Sequence, residues 1–115
     1  MQLEAAKYLW DALQACDLIL TFTAGKSFEN YQDDVILRSA VERQFEIIGE
    51  ALNQMSKIDS ATANAIPQFR QAVSFRNLLI HGYFTLDDRV VWTVLVEQLP
   101  PLKLVLASLL EQSPP

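Results

Sequence analysis

Residues 75–84 hold the side chains of this sequence that are best suited to chemistry. Arg76, Asn77, His81 and Tyr83 lie within this segment, and His81 is the only histidine in the chain. A guanidinium is a planar donor that matches phosphate oxygens, and an imidazole is the usual general acid or base near neutral pH. These residue types therefore indicate phosphoryl chemistry, with RNA cleavage through the 2′-hydroxyl as the specific candidate.

The spacing within this segment limits what one chain can do alone. At about 100° per residue, Asn77 and His81 share one face of a helix, whereas Arg76 and His81 diverge by about 140°. The long Arg76 side chain, unwinding at Gly82 or a second chain must close that gap. Cleavage by 2′-hydroxyl attack also needs one base and one acid, and the chain has a single imidazole. A two-fold homodimer with the motif at its interface would supply two.

Structural interpretations compete with the chemical one. A lone histidine near a helix end often caps carbonyl groups, and a helical arginine is usually solvated or ion-paired. A second polar stripe, formed by Arg43, Glu46 and Glu50, has spacings of three and four and so lies on one helix face. It either forms an intrahelical salt-bridge ladder, or it lines the cleft or positions Arg76. Gly49 beside it would allow a close helix approach.

Length and composition predict one globular domain over residues 1–115. Half of the residues are hydrophobic and a fifth are charged, which excludes a mainly disordered chain. The net charge of −5 argues against a protein that coats nucleic acid through bulk positive charge. Cys16 is the only cysteine, so no intrachain disulfide can form. We expect no signal peptide and no membrane span, and a cytoplasmic location.

The positions of glycine and proline predict an all-α bundle of four long antiparallel helices plus short helical pieces. Glycine is scarce, and the prolines leave long uninterrupted stretches between them. The predicted helices cover about 2–23, 34–57, 60–66, 68–81, 87–98 and 100–112, while residues 26–32 are predicted to form a loop tacked onto the core.

Apolar periodicity predicts which helix faces are buried. On the first helix the predicted stripe is Leu3, Ala6, Trp10, Leu13 and Leu20. On the second long helix the predicted seam is Val41, Phe45, Ile48, Leu52 and Met55, and this helix is expected to be central. Cys16, Trp10 and Trp92 are expected to pack rather than to react or to stack on bases.

Helix capping is the simplest interpretation of the acidic pairs in the sequence. Asp33 or Asp34 is predicted to cap the second long helix, and Ser60 the short helix after it. The run from Thr85 to Asp88 has a capping-box pattern. A metal site at these carboxylates is the less favoured interpretation, so no metal ligands are predicted.

Three blocks of the sequence carry a family resemblance. Arg76, His81 and Tyr83 match an Arg-x4-His-x-Tyr motif, and residues 43–51, which include Gly49 and Glu50, match a second hallmark. The pairs Ile66-Pro67 and Val91-Trp92, with Leu99-Pro100 after them, lie in the expected order. Together these blocks resemble the HepT-like branch of the HEPN ribonuclease toxins over nearly the whole chain.

The resemblance implies a fold, an activity and a partner. It implies an HEPN-like bundle that acts as a metal-independent endoribonuclease toxin without a cofactor, with the motif at a homodimer cleft. Arg76 would bind the scissile phosphate, His81 would transfer protons, and Asn77 would orient His81 or the RNA. A small nucleotidyltransferase antitoxin of the MntA type would silence the toxin by adenylylating Tyr83.

Two other functions remain open from the sequence. HEPN-type bundles also serve as non-catalytic companions that bind a nucleotide or a nucleotidyltransferase, and the acidic balance mildly favours that hypothesis. A plain helical dimerisation module without a ligand is the third. It would be favoured if His81 and Arg76 lay remote from any cleft.

Overall fold

A computed structural model describes residues 1–82 and 86–112, and within these residues the chain is helical without a strand. The all-α prediction is confirmed. The seven helices of the described residues are α1 (Leu3–Thr23), α2 (Phe28–Asp33), α3 (Val35–Ile58), α4 (Ser60–Asn64), α5 (Phe69–His81), α6 (Asp88–Glu97) and α7 (Leu99–Gln112). Tyr83 and Thr85 lie outside the described residues, as does the C-terminal segment 113–115.

Helix α3 is the centre of the bundle, as its sequence predicts. It packs against α1 along one side and against α5 along another, and it also contacts α2 and α4. All five predicted seam residues are buried: Val41, Phe45, Ile48, Leu52 and Met55. A helix that is apolar over several faces has to contact several neighbours, and α3 does so.

The buried face of α1 differs from the predicted stripe. Leu3 is 88% exposed and Trp10 is 54% exposed, so both predictions of burial are wrong. The buried residues are Ala5, Leu9, Ala12, Ala15, Cys16, Ile19 and Thr23. Three of them are alanines, which allow two helix backbones to approach closely. The contact with α3 and α7 therefore follows the small residues, whereas the sequence pattern was weighted towards the large ones.

The predicted loop at 26–32 contains a short helix, α2. Ser27 accepts a hydrogen bond from the Asn30 backbone, and the Asn30 side chain accepts one from the Ser27 backbone. This reciprocal cap stabilises a helix of only six residues. Tyr31 is fully buried, with its ring centre 5.5 Å from that of Trp92 on α6. The packing of Trp92 and of this segment onto the core is as predicted.

Aspartate side chains cap three of the helices. Asp34 accepts from the Leu37 backbone at the start of α3, and Asp87 accepts from the Arg89 backbone at the start of α6. The cap of α4 is Asp59 rather than the predicted Ser60. Asp59 bonds both the backbone and the hydroxyl of Thr62, and these bonds lower its carboxyl pKa. A carboxylate one residue earlier therefore takes the capping role from the serine.

Helix α7 closes the bundle against α1. It begins at Leu99 with two prolines in its first turn, where the missing N–H groups cost no helical hydrogen bond. Lys103 Nζ lies 2.7 Å from Asp17 Oδ1, so an ion pair joins the last helix to the first. In the described residues no single helix is long and apolar enough to span a membrane. The pair α6–α7, bent by 45°, meets that test only when the two are combined, and only by length and composition.

Candidate active site

The site is organised around a very close approach between α3 and α5. A Cβ atom added at Gly49 would lie 2.3 Å from Arg76 Cβ and 2.8 Å from the Ala72 carbonyl oxygen. Real atoms do not approach so closely, so only glycine fits at this position of α3. The predicted close approach at Gly49 is confirmed, and it brings the start of the Arg76 side chain against the α3 backbone.

The Arg76 guanidinium is held from two directions. Its Nη2 lies 2.8 Å from Glu50 Oε2 on α3, and its Nη1 donates to Asn77 Oδ1 at 2.9 Å. The Nε atom is buried and has no hydrogen-bond partner in the described structure. Glu50 in turn accepts a hydrogen bond from Gln54 Nε2 at 3.0 Å. Arg76 is therefore fixed within a chain of four side chains that runs from α3 to α5.

This ion pair orients more than it stabilises. The Arg76 side chain is 27% exposed and the Glu50 side chain is 45% exposed. An ion pair with that much solvent contributes about 0–1 kcal/mol to folding. Its visible effect is to restrict the direction of the guanidinium, which is the group expected to contact phosphate.

The stripe on α3 does not form the intrahelical ladder. Among the described residues no ion pair joins Arg43, Glu46 and Glu50 to one another, and Glu50 instead bonds across to Arg76. All three line a groove of about 340 Å³ between α1 and α3, which we call the α1–α3 groove. Asp11 of α1 lines its other wall. Sequence reasoning had missed Gln54, although its i, i+4 spacing from Glu50 was a signal.

His81 is the last residue of α5 and its side chain is exposed. The helix continues without unwinding through this residue, because the Gly82 N–H still bonds to the Leu78 carbonyl at 2.7 Å. In the described residues the imidazole has no hydrogen-bond or ion-pair partner, and the structure does not join it to Arg76 or Asn77. Helix α5 is thus regular through His81 and ends at Gly82, its C-cap, so any unwinding of the motif begins at Gly82 rather than before the imidazole. The predicted adenylylation target Tyr83 falls outside the described residues.

The flank of α5 opposite to Arg76 borders an apolar cavity of about 420 Å³. Phe75 and Leu78 line it from α5, and Leu99 and Leu102 line it from α7. Leu79 is the one buried residue of the helix. Helix α5 thus rests chiefly on α3, with one flank at the cavity and the other carrying Arg76.

A second cluster of charged groups surrounds the Tyr31 hydroxyl and includes none of the motif residues. This hydroxyl has no hydrogen-bond partner in the described structure. Burial raises the pKa of Tyr31, and the carboxylates of Glu42 and Asp88 raise it further. Burial also raises the pKa of Glu42 above its usual 4.5, with Asp88 adding to the effect and Arg38 opposing it. Arg38 Nε lies 3.9 Å from Asp88 Oδ1.

In the part of the chain that the structure describes, Cys16 is buried and the acidic residues form no metal-ligand cluster. Burial raises the pKa of the Cys16 thiol to about 12, so the thiolate needed for reactivity is not populated near neutral pH. Within the described residues no three histidine, cysteine, aspartate or glutamate side chains come together as metal ligands.

Comparison with known proteins identifies the family. The profile described as "Ribonuclease HepT-like" matches residues 12–109. The chain belongs to the HepT-like ribonuclease family. This membership makes the bundle HEPN-like and gives the coarse activity, which is RNA cleavage.

Named relatives of this HepT-like chain span most of its length. A "Probable ribonuclease HepT" of Thermococcus cleftensis is 38% identical over 96 residues, covering 84% of this chain and 86% of its own. A "Putative RNase" of Caldanaerobacter subterraneus subsp. tengcongensis is 30% identical over 105 residues, covering 91% and 93%. Another "Putative RNase", from Methanocaldococcus jannaschii, is 30% identical over 96 residues, covering 84% and 87%. No solved structure matches the chain at a significant level.

Proposed function

We propose that this HepT-like chain is the toxin of a cytoplasmic toxin–antitoxin pair and a metal-independent endoribonuclease. The observation that carries the proposal is the arrangement on α5. A guanidinium fixed at the surface by α3 precedes, by five residues, an exposed histidine that pairs with none of the described side chains. Both groups are accessible to a phosphodiester, and both types of side chain suit its cleavage.

The chemistry assigns separate tasks to the two residues. One His81 imidazole removes the proton from the 2′-hydroxyl, which attacks the adjacent phosphorus. Arg76 stabilises the negative charge that develops on the phosphate oxygens. A second imidazole protonates the departing 5′-oxygen, so the products are a 2′,3′-cyclic phosphate and a 5′-hydroxyl. No metal ion or cofactor takes part in these steps.

The second imidazole comes from a second copy of the chain. One chain contains one histidine, and regular α5 geometry keeps Arg76 and His81 about 140° apart. A two-fold homodimer in which two α5 helices face each other supplies two imidazoles and two guanidinium groups to a shared cleft. Glu50 contacts Arg76, and Arg43 and Glu46 share the α1–α3 groove with Glu50; all three are proposed to line that cleft.

Silencing acts on Tyr83. An MntA-like nucleotidyltransferase antitoxin would transfer AMP from ATP to its hydroxyl, two residues after His81, with release of pyrophosphate. The added group brings bulk and negative charge to a site that binds phosphate, so it competes for Arg76 and repels RNA.

Two alanine variants test the catalytic assignment. Arg76→Ala and His81→Ala are expected to leave a folded helical dimer and to abolish RNA cleavage measured in EDTA. Circular dichroism and light scattering check the fold and the dimer. Full cleavage by both variants, or activity that disappears in EDTA for the unmodified chain, would contradict the proposed mechanism.

The modification is tested with Tyr83→Phe. Incubation with the nucleotidyltransferase and ATP should add one or more AMP masses to the unmodified chain and none to the variant. An AMP-sized shift on Tyr83→Phe would place the target elsewhere.

A non-catalytic binding module is the second candidate, because the chain is acidic and Glu50 neutralises the guanidinium charge. In that case the motif binds a nucleotide or the nucleotidyltransferase, and no RNA is cut. Protein freed of its partner and of adenylylation, incubated with RNA, separates the two functions. A product with a 2′,3′-cyclic phosphate supports the nuclease, and intact RNA at high protein concentration supports the binding module.

A further inference from the structure

Arg76 is held by more contacts than a simple surface ion pair would need. Gly49 brings the Arg76 Cβ against the α3 backbone, so the side chain starts from a fixed point. Glu50 takes hold of its Nη2 at 2.8 Å, and Gln54 fixes the other oxygen of Glu50 at 3.0 Å. All three residues lie within six positions of α3.

The bonds also decide which part of the guanidinium remains available. Arginine has five N–H groups. The Nε–H is buried, one Nη1–H is donated to Asn77, and one Nη2–H is directed at Glu50. One N–H on each terminal nitrogen has no partner among the described residues and is left for a phosphate. Glu50 therefore limits how a phosphodiester can approach Arg76.

We propose that Glu50, backed by Gln54, is a positioning residue that aims Arg76 at the scissile phosphate. This inference rests on the proposed ribonuclease mechanism. Glu50 has two opposite effects on the reaction. Its carboxylate repels the RNA backbone and weakens binding, whereas its bond to Nη2 fixes the geometry needed in the transition state. Misplacement of a reacting group by about 1 Å can cost about 10²-fold in rate.

A split between kcat and KM tests this proposal. Glu50→Ala removes both the charge and the bond, so kcat should fall by about 10- to 100-fold while KM falls by about fivefold or less. Glu50→Asp keeps the charge but shortens the reach, so kcat should fall while KM stays unchanged. Glu50→Gln loses the charge but keeps an acceptor of the same length, so it should lower KM and retain most of kcat.

Asp11→Asn is the matched control. Asp11 lines the opposite wall of the α1–α3 groove and bonds Lys7 rather than Arg76. This substitution removes one negative charge from the same groove. Because Asp11 does not contact Arg76, kcat should not change. Gln54→Leu should give a smaller loss of kcat than Glu50→Ala, because it releases Glu50 without removing it. Thermal unfolding of every variant distinguishes a misoriented Arg76 from a loss of the folded structure.

The variants distinguish positioning by Glu50 from the ribonuclease mechanism on which it rests. If Arg76→Ala abolishes cleavage but folded Glu50→Ala and Glu50→Asp keep the kcat of Asp11→Asn, positioning by Glu50 is wrong and the mechanism stands. If Arg76→Ala itself cleaves RNA normally, the ribonuclease mechanism is wrong. Loss of kcat in both folded Glu50 variants, with the predicted difference in KM, supports the proposal.

Discussion

Helices α3 and α5 are neighbours that are anchored to the molecule in opposite ways. Helix α3 buries eight residues and contacts α1, α2, α4 and α5. Helix α5 buries only Leu79, packs chiefly on α3, and borders an open apolar cavity. Yet α5 carries Arg76 and His81. The comparison shows that the helix with the proposed catalytic residues is held at a few specific points, whereas the central helix is held along its whole length.

The largest effect should come from truncating the core of each helix. Leu52→Ala in α3 removes a fully buried side chain and should cost about 2–5 kcal/mol in the free energy of unfolding. Leu79→Ala in α5 should cost less and should loosen α5 alone. Denaturant titration gives the cost, and amide exchange shows which helix opens. Equal costs, with equal loss of protection in α1 and α5, would contradict the comparison.

A smaller loss of stability, with a large loss of activity, is expected from Gly49→Ala. The new methyl group would overlap Arg76 Cβ and the Ala72 carbonyl, so α5 must move away from α3. We expect a cost of about 1–3 kcal/mol from this overpacking and a loss of RNA cleavage. The control is Gly25→Asn, at a position with φ of +72° and open space, where asparagine is tolerated. Full cleavage by Gly49→Ala would show that the close approach is not needed.

The smallest effect on stability is expected from the charged cluster around Tyr31, formed by Glu42, Asp88 and Arg38, which contains none of the motif residues. The raised pKa of Glu42 means that folding favours its protonated form. The resulting contribution to the free energy of unfolding is complete below the usual pKa of 4.5. It is lost as the pH rises through the pKa of Glu42 in the folded protein. Glu42→Gln should therefore stabilise the protein at pH 7, within about 0.5 kcal/mol, and not at pH 4.

Thermal unfolding at the two pH values measures this difference. The groups that face Glu42 are Asp88 and Glu46, which disfavour its charge, and Arg38, which favours it. A lower Tm for Glu42→Gln at pH 7 would show that the attraction of Arg38 prevails over burial and repulsion.

Sequence patterns predicted the long helices because apolar period, glycine and proline act locally. The seam of α3, from Val41 to Met55, was correct for this reason. The α1 face was wrong since Leu3 and Trp10 are large but exposed, and a single sequence does not show that alanines make the contact. Helix α2 was missed because its cap uses Asn30 in place of the usual Glu or Gln.

The site was only partly accessible to the same reasoning. Spacing within one helix placed Asn77 and His81 on one face, but it did not show that Asn77 bonds Arg76. The contact from Arg76 to Glu50 joins two helices, so no intrahelical period specifies it. The close approach at Gly49 was predictable because glycine has few other uses in the middle of a helix.

The packing of α7 on α1 has a consequence for the order of folding. The Lys103–Asp17 pair joins positions 86 residues apart. A large loop must therefore close before the pair forms, and the conformational entropy of that loop is lost before the contact can offset it. The α3–α5 contact spans a much shorter stretch of chain. During synthesis the segment with the motif can therefore dock on α3 while α7 is still to be made, and only the side of α1 that faces α7 is covered last.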